Sequence, residues 1–251
     1  MDMPGTVMTH SGWHRGDQLV VDLTHLRHVQ GVLADLRLGW DELTSRELGL
    51  AMLTLPNLRH VVDELRSRAR GDVPADFYAQ AGQAIAERGG DVSDLDLLLS
   101  FLRGWFARQY GGWFVTIGKN RIIRGIEGLP EIGGGGEGDP LLGDPEAFVP
   151  HPQAASPGGR HQLSVLDTKL FAHPALDGAY VAEPNALLPQ SLLDASPLPF
   201  RAGHATFVAG VILRQAPGAE LDVRGVLDAE HATASAWDVA NKMMEFLGSG
   251  V

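Results

Sequence analysis

Val165-Leu166-Asp167-Thr168, at the end of an apolar run, and His204-Ala205-Thr206-Phe207-Val208-Ala209-Gly210, at the start of another, decide how this chain is read. The residues from Leu163 to Asp167 suit a short buried strand that stops on a carboxylate, and Gly203 places His204 at the opening of a helix that runs to Leu213. A strand from Ala219 to Leu227 is expected next, and after it a helix from Ser235 to Leu247. Ser235 and Asp238 would cap that last helix, and Ala236, Val239, Ala240, Met243 and Leu247 would form its buried stripe. Strand and helix in alternation predict a parallel α/β sheet. Two strands and two helices cannot complete one, because inner strands of such a sheet are covered on both faces. The expectation is therefore a fragment, in preference to a sheet finished by another chain.

Working toward the amino terminus, Gly133-Gly134-Gly135-Gly136-Glu137-Gly138-Asp139-Pro140 and the prolines through Pro157 read as a linker. The glycine run is no phosphate loop, since no Gly-Lys-Ser/Thr follows it and it lies among prolines. Before it, Trp113 to Ile117 alternates like a short strand. Leu58, Val61, Val62 and Leu65 share one helical face, as do Leu95, Leu98, Leu99, Leu102, Trp105 and Phe106. Ser93 and Asp96 start the second of these helices as a capping box. Pro74 suits the first turn of a further helix that Gly89-Gly90 would end, and Leu19 to Leu23 fits a strand or an early helix. Asp41, Glu42 and Glu47 read as a solvated helix edge. The organisation expected is a mostly helical amino-terminal domain over 1–112, a short strand and Gly/Pro-rich linker over 113–160, and a partial α/β domain over 161–251.

Composition narrows the function classes. With 251 residues, 44% hydrophobic and 20% charged, the chain has an ordinary globular balance. A net charge of −11 argues against a nucleic-acid partner, because phosphate binding needs a basic surface. Zero cysteines exclude disulfides and thiol catalysis and leave the redox compartment open. No apolar segment at the amino terminus reads as a signal peptide and no stretch is long enough for a membrane span, so a cytoplasmic protein without a membrane partner is expected. His25 and His28 lack a third ligand in any zinc spacing and read as surface histidines. Trp105, Phe106, Tyr110, Trp113 and Phe114 read as core packing in preference to a binding platform.

Several linked segments between His161 and Val251 carry a family resemblance. Asp167-Thr168 resembles the aspartate motif of the subtilisin-like serine peptidases, and His173-Pro174-Ala175-Leu176 their His-Pro-x-Leu. His204 to Gly210 is similar to their His-Gly-Thr-x-Val-Ala-Gly, and Gln215-Ala216-Pro217-Gly218-Ala219 to the turn before the next strand, which ends at Val226-Leu227-Asp228. Ser235 to Phe246 resembles the helix that follows. The resemblance implies an incomplete subtilisin-like parallel sheet flanked by helices, preceded by the mostly α-helical amino-terminal domain. It implies peptide-bond hydrolysis of a polypeptide substrate, with Asp167 orienting His204 and His204 as general acid and base. No cofactor is implied. Calcium is common in the family, yet Ala175 stands where a carboxylate would serve and Arg214 to Ala219 is too short a binding loop, so no metal is expected.

Three departures qualify the resemblance. Lys169 and Ala205 stand where the family carries glycine, and either is tolerable only where φ stays negative. Nothing resembles the family's Gly-Thr-Ser-x-Ala-x-Pro nucleophile motif or its oxyanion asparagine: Ser164, Ser191, Ser196, Ser235 and Ser249 all lie in other contexts. The chain is then expected to carry two members of a Ser-His-Asp triad and to be inactive alone. The alternative is a non-catalytic relative that binds a peptide or partner, toward which Lys169 and Ala205 lean. Lys169 and His173 are otherwise expected as exposed loop residues.

Overall fold

The computed structural model describes residues 5–9, 12–69, 92–124, 162–171, 173, 176, 178–183, 186–188 and 203–248. The chain divides into two compact units, Met1–Ile122 with Ser235–Trp237, and Ile123–Ala234 with Asp238–Val251. The expected linker around Gly133 and the expected helix between Pro74 and Gly89 lie outside the described residues.

The first unit corrects the expected fold class. It is built on an antiparallel sheet and is not mostly α-helical. β1 (Thr6–Thr9) pairs with β2 (Gly12–Asp22), β2 pairs with both β4 (Leu50–Thr54) and β5 (Ile117–Arg124), and β4 pairs with β3 (Asp41–Ser45), every pair antiparallel. β2 holds the ladder together: Leu19 stands opposite Leu53, Val21 opposite Ala51, and all four are fully buried. The reason for the misreading is physical. β3 is Asp-Glu-Leu-Thr-Ser, exposed along all but its last residue, so it has no buried alternation to announce a strand. Asp41 and Glu42, expected on a helix edge, lie on β3, and Glu42 accepts hydrogen bonds from Gln30 Nε2 and Thr44 Oγ1. Glu47 follows in the turn before β4, where Gly49 takes φ +66°.

Among the described residues three helices lie in the same unit: α1 (Leu26–Asp35), α2 (Leu58–Ala69) and α3 (Asp94–Gln109). Their stripes enter one core with β2, β4 and β5, including Val29 and Leu33 of α1, Val61 and Val62 of α2, and Leu95, Leu98, Leu102 and Phe106 of α3. Ser93 caps α3 with the reciprocal capping box read from the sequence, its side chain accepting from the Asp96 amide while the Asp96 carboxylate accepts from the Ser93 amide. Trp113 to Thr116 precede the strand, which begins only at Ile117. The aromatic cluster is divided between core and surface, with Phe106 buried and Tyr110, Trp113 and Phe114 exposed.

The second unit contains a small parallel sheet. Its strands are β6 (Gln162–Asp167), β7 (Tyr180–Ala182) and β8 (Glu220–Gly225), in the order β6-β8-β7. β6 and β8 run in register from Gln162 opposite Glu220 to Asp167 opposite Gly225. β7 lies between the strand and the helix read from the sequence, where three residues are too few to show a period. α4 (His204–Gln215) buries Ala205 and Ala209 against Leu221, Val223, Leu170 and Leu176. A short strand β9 (Thr233–Ser235) leads into α5 (Ala236–Gly248); Ser235 to Trp237 belong to the first unit and Asp238 onward to the second. The stripe foreseen for α5 is also corrected: Met243 and Leu247 are 55% and 66% exposed, whereas Phe246 is buried. Phe246 lies under the Arg224 guanidinium, 5.3 Å from its ring centre, and Arg224 is held by both oxygens of Asp222 and by Glu183.

Candidate active site

The carboxyl end of β6 and the first turn of α4 meet at the two residues that the sequence singles out. Asp167 is the last residue of β6 and only 6% exposed, and the polar groups around it hold it in one orientation. Its main-chain oxygen accepts from the amides of Val226 and Leu227, at 2.9 and 3.0 Å, which follow β8. Its Oδ1 accepts from the Thr168 amide at 2.6 Å. Gly225, opposite Asp167 in the ladder, is closely approached: a Cβ there would stand 3.1 Å from Lys169 Cγ and 3.3 Å from Ala186 Cα, tighter than an ordinary contact.

His204 is the first residue of α4, and its side chain is 43% exposed. Gly203 before it takes φ +103°, a left-handed conformation that favours glycine, and it offers the helix no side-chain cap. The turn delivers His204 Nδ1 to 2.8 Å from Asp167 Oδ1 and 2.9 Å from Oδ2. A carboxylate at that distance selects the tautomer in which Nδ1 carries the proton and donates it, which leaves Nε2 with a free lone pair. Such an imidazole can take a proton at Nε2 while the carboxylate stabilises the cation that results. The helix amino terminus adds a favourable field for the Asp167 carboxylate.

Two further contacts join the same elements. Thr168, fully buried, accepts at Oγ1 from the Ala205 amide, 3.2 Å away. Thr206 Oγ1 accepts from the Phe171 amide at 2.8 Å. Sequence reasoning passed over both threonines; the one available signal was their place beside Asp167 and His204. Lys169 and Ala205 meet the backbone condition set for them, since the only non-glycine residues with positive φ among those described are Arg37 and Ala232. Lys169 and His173 are half-buried, not exposed.

The other candidates fall into structural roles. Ser164 is exposed on β6 and Ser235 is buried at the end of β9, while Ser191, Ser196 and Ser249 lie outside the described residues. His25 Nδ1 accepts from the Thr116 amide, and the His25 and His28 rings pack edge to face with Trp113. Among the described residues no three His, Asp or Glu side chains gather as a metal-binding group, and no helix is long and apolar enough to cross a membrane. Comparison of the chain with protein-family models, with curated proteins and with solved structures finds no match.

Proposed function

We propose that this chain carries the base and orienting carboxylate of a subtilisin-like serine endopeptidase. The observation that carries the reading is the Asp167–His204 hydrogen bond, made by a strand-end carboxylate and a helix-start imidazole in the order of the motif segments. In this reading Asp167 fixes the His204 ring with Nδ1 protonated. His204 Nε2 then accepts the proton of a serine hydroxyl as its oxygen bonds to the peptide carbonyl carbon. The same proton passes to the amine as the C–N bond breaks, and water repeats the sequence on the acyl-enzyme. In the same reading none of the serines quoted above lies in the family's nucleophile motif, so residues 1–251 alone are expected not to turn over substrate. A polypeptide substrate and a cytoplasmic setting belong to the same proposal.

A second reading, a non-catalytic unit that binds a polypeptide, is favoured by one observation: Phe207 is 69% exposed one helical turn from His204, and Val211 is exposed one turn further on. Labelling with a fluorophosphonate separates the two. The full-length gene product is expected to form one covalent adduct on a serine, lost in His204→Ala, and the 251-residue chain none. A folded full-length protein that takes up no probe would overturn the peptidase reading in favour of polypeptide binding.

A further inference from the structure

We infer that Thr168 and Thr206 are positioning residues that lock the first turn of α4 onto the end of β6 and so hold His204 in its Nδ1–H tautomer against Asp167. The inference rests on the reading of Asp167 and His204 as a proton-handling pair. The first amides of a helix have no partner within it, and an N-cap side chain normally accepts from one of them. Gly203 has no side chain to offer, and no side-chain cap is formed there. The glycine that the left-handed turn requires thus leaves the turn carrying His204 without its usual anchor.

Thr168 supplies the missing acceptor from another element. Its hydroxyl oxygen meets the amide of Ala205, the second residue of the helix, in a place fully closed to water where an unpaired amide would be costly. The second strap runs in the opposite sense: Thr206 on the helix accepts from the amide of Phe171, three residues beyond Thr168. The first strap joins the immediate neighbours of the pair, Thr168 beside Asp167 and Ala205 beside His204, and the second starts from Thr206, two residues past His204. The Thr168 amide closes the arrangement by donating to Asp167 Oδ1, so one residue fixes the carboxylate with its backbone and the helix with its side chain. The near-equal distances from Nδ1 to both carboxylate oxygens are what two opposed straps would maintain.

The test uses the folded 251-residue chain and the nitrogen chemical shifts of the His204 ring, at a pH where imidazole is neutral. The wild type and Thr168→Ser are expected to show the Nδ1–H tautomer. Thr168→Val, which keeps the shape and removes the acceptor, is expected to move both shifts toward the average of the two tautomers. Hydrogen exchange of the Ala205 amide should then quicken on the order of tenfold, as for a lost cap, with Leu221 and Val223 unchanged. Should Thr168→Val fail to fold, Thr206→Val breaks the other strap and is read in the same way. The Asp167→Asn control separates the two ideas. If that variant keeps the wild-type tautomer, the pairing and the functional reading built on it are overturned. If it changes the tautomer while Thr168→Val and Thr206→Val leave it untouched, the positioning role alone is overturned.

Discussion

His14 is a buried histidine of the first unit, and its titration is expected to contribute to how that unit responds to acid. Its Nε2 lies 3.3 Å from Ser93 Oγ, which donates at 2.7 Å to Asp96, and Asp96 is ion-paired with Lys119. Loss of water and then the nearby Lys119 hold its pKa below the ordinary 6.5, Arg121 adding a little, while the Gly12 carbonyl and Asp96 act the other way. A histidine kept neutral by the fold contributes stability at pH above its unfolded pKa. That stability falls as pH drops through and below 6.5, because the unfolded chain takes up the proton first. Denaturant midpoints of the first unit should therefore decline from neutral pH toward about 5, and the decline should be shallower in His14→Gln. An equal decline in both would show that His14 is not the responsible group. Asp96 acts lower on the pH scale: burial raises its pKa, but Lys119 and Ser93 outweigh burial and hold it below the carboxylate range, so its contribution is lost as pH falls through that lowered value. None of this network was legible beyond Ser93 and Asp96, because His14 and Lys119 meet only once β2, β5 and α3 are assembled. Asp167 and His204, by contrast, were legible, since each sits at a strand end or helix start that the local sequence marks.

At the scale of elements, what the sequence shows depends on how much of an element is buried. α2 and α3 declare themselves through stripes that lie in the core, and Ser93 with Asp96 marks the start of α3. Leu102 and Phe106 are buried on that stripe, so Leu102→Ala should cost about 2–5 kcal/mol and Phe106→Ala about 3–5 kcal/mol in thermal or denaturant unfolding. A loss below about 1 kcal/mol at either position would contradict the packing described. β3 and β7 stay silent, one because nearly all of it is exposed and the other because it is three residues long. The stripe foreseen for α5 goes astray for another reason: Met243 and Leu247 satisfy a helical period, yet the buried residues of the helix are Trp237 and Phe246, the latter beneath Arg224. Gly225 makes a sharper test at the end of β8. Gly225→Ala would press a methyl against Lys169 and the Ala186 backbone, and it should lower stability by about 1–3 kcal/mol. Unchanged stability would mean that the approach of these segments is looser than described.

Across the whole molecule, the sequence misplaces the balance of helix and strand in the first unit while it locates the candidate pair in the second. The reason is that helical periodicity survives in 12- to 16-residue segments such as α2 and α3, whereas an antiparallel ladder depends on pairings between distant residues such as Leu19 and Leu53. The pair needs no such global knowledge: a parallel β6–β8 ladder and one glycine turn are enough to bring Asp167 and His204 together. The central claim is that this pair serves proton transfer in peptide hydrolysis, and steady-state cleavage of an unfolded protein substrate by the full-length gene product tests it most directly. The account predicts hydrolysis by the wild type, a fall in kcat of about 10⁴-fold with little change in KM for Asp167→Asn, and a loss at least as large for His204→Ala. Hydrolysis at the wild-type rate by Asp167→Asn, or none by the folded wild-type protein, would contradict it.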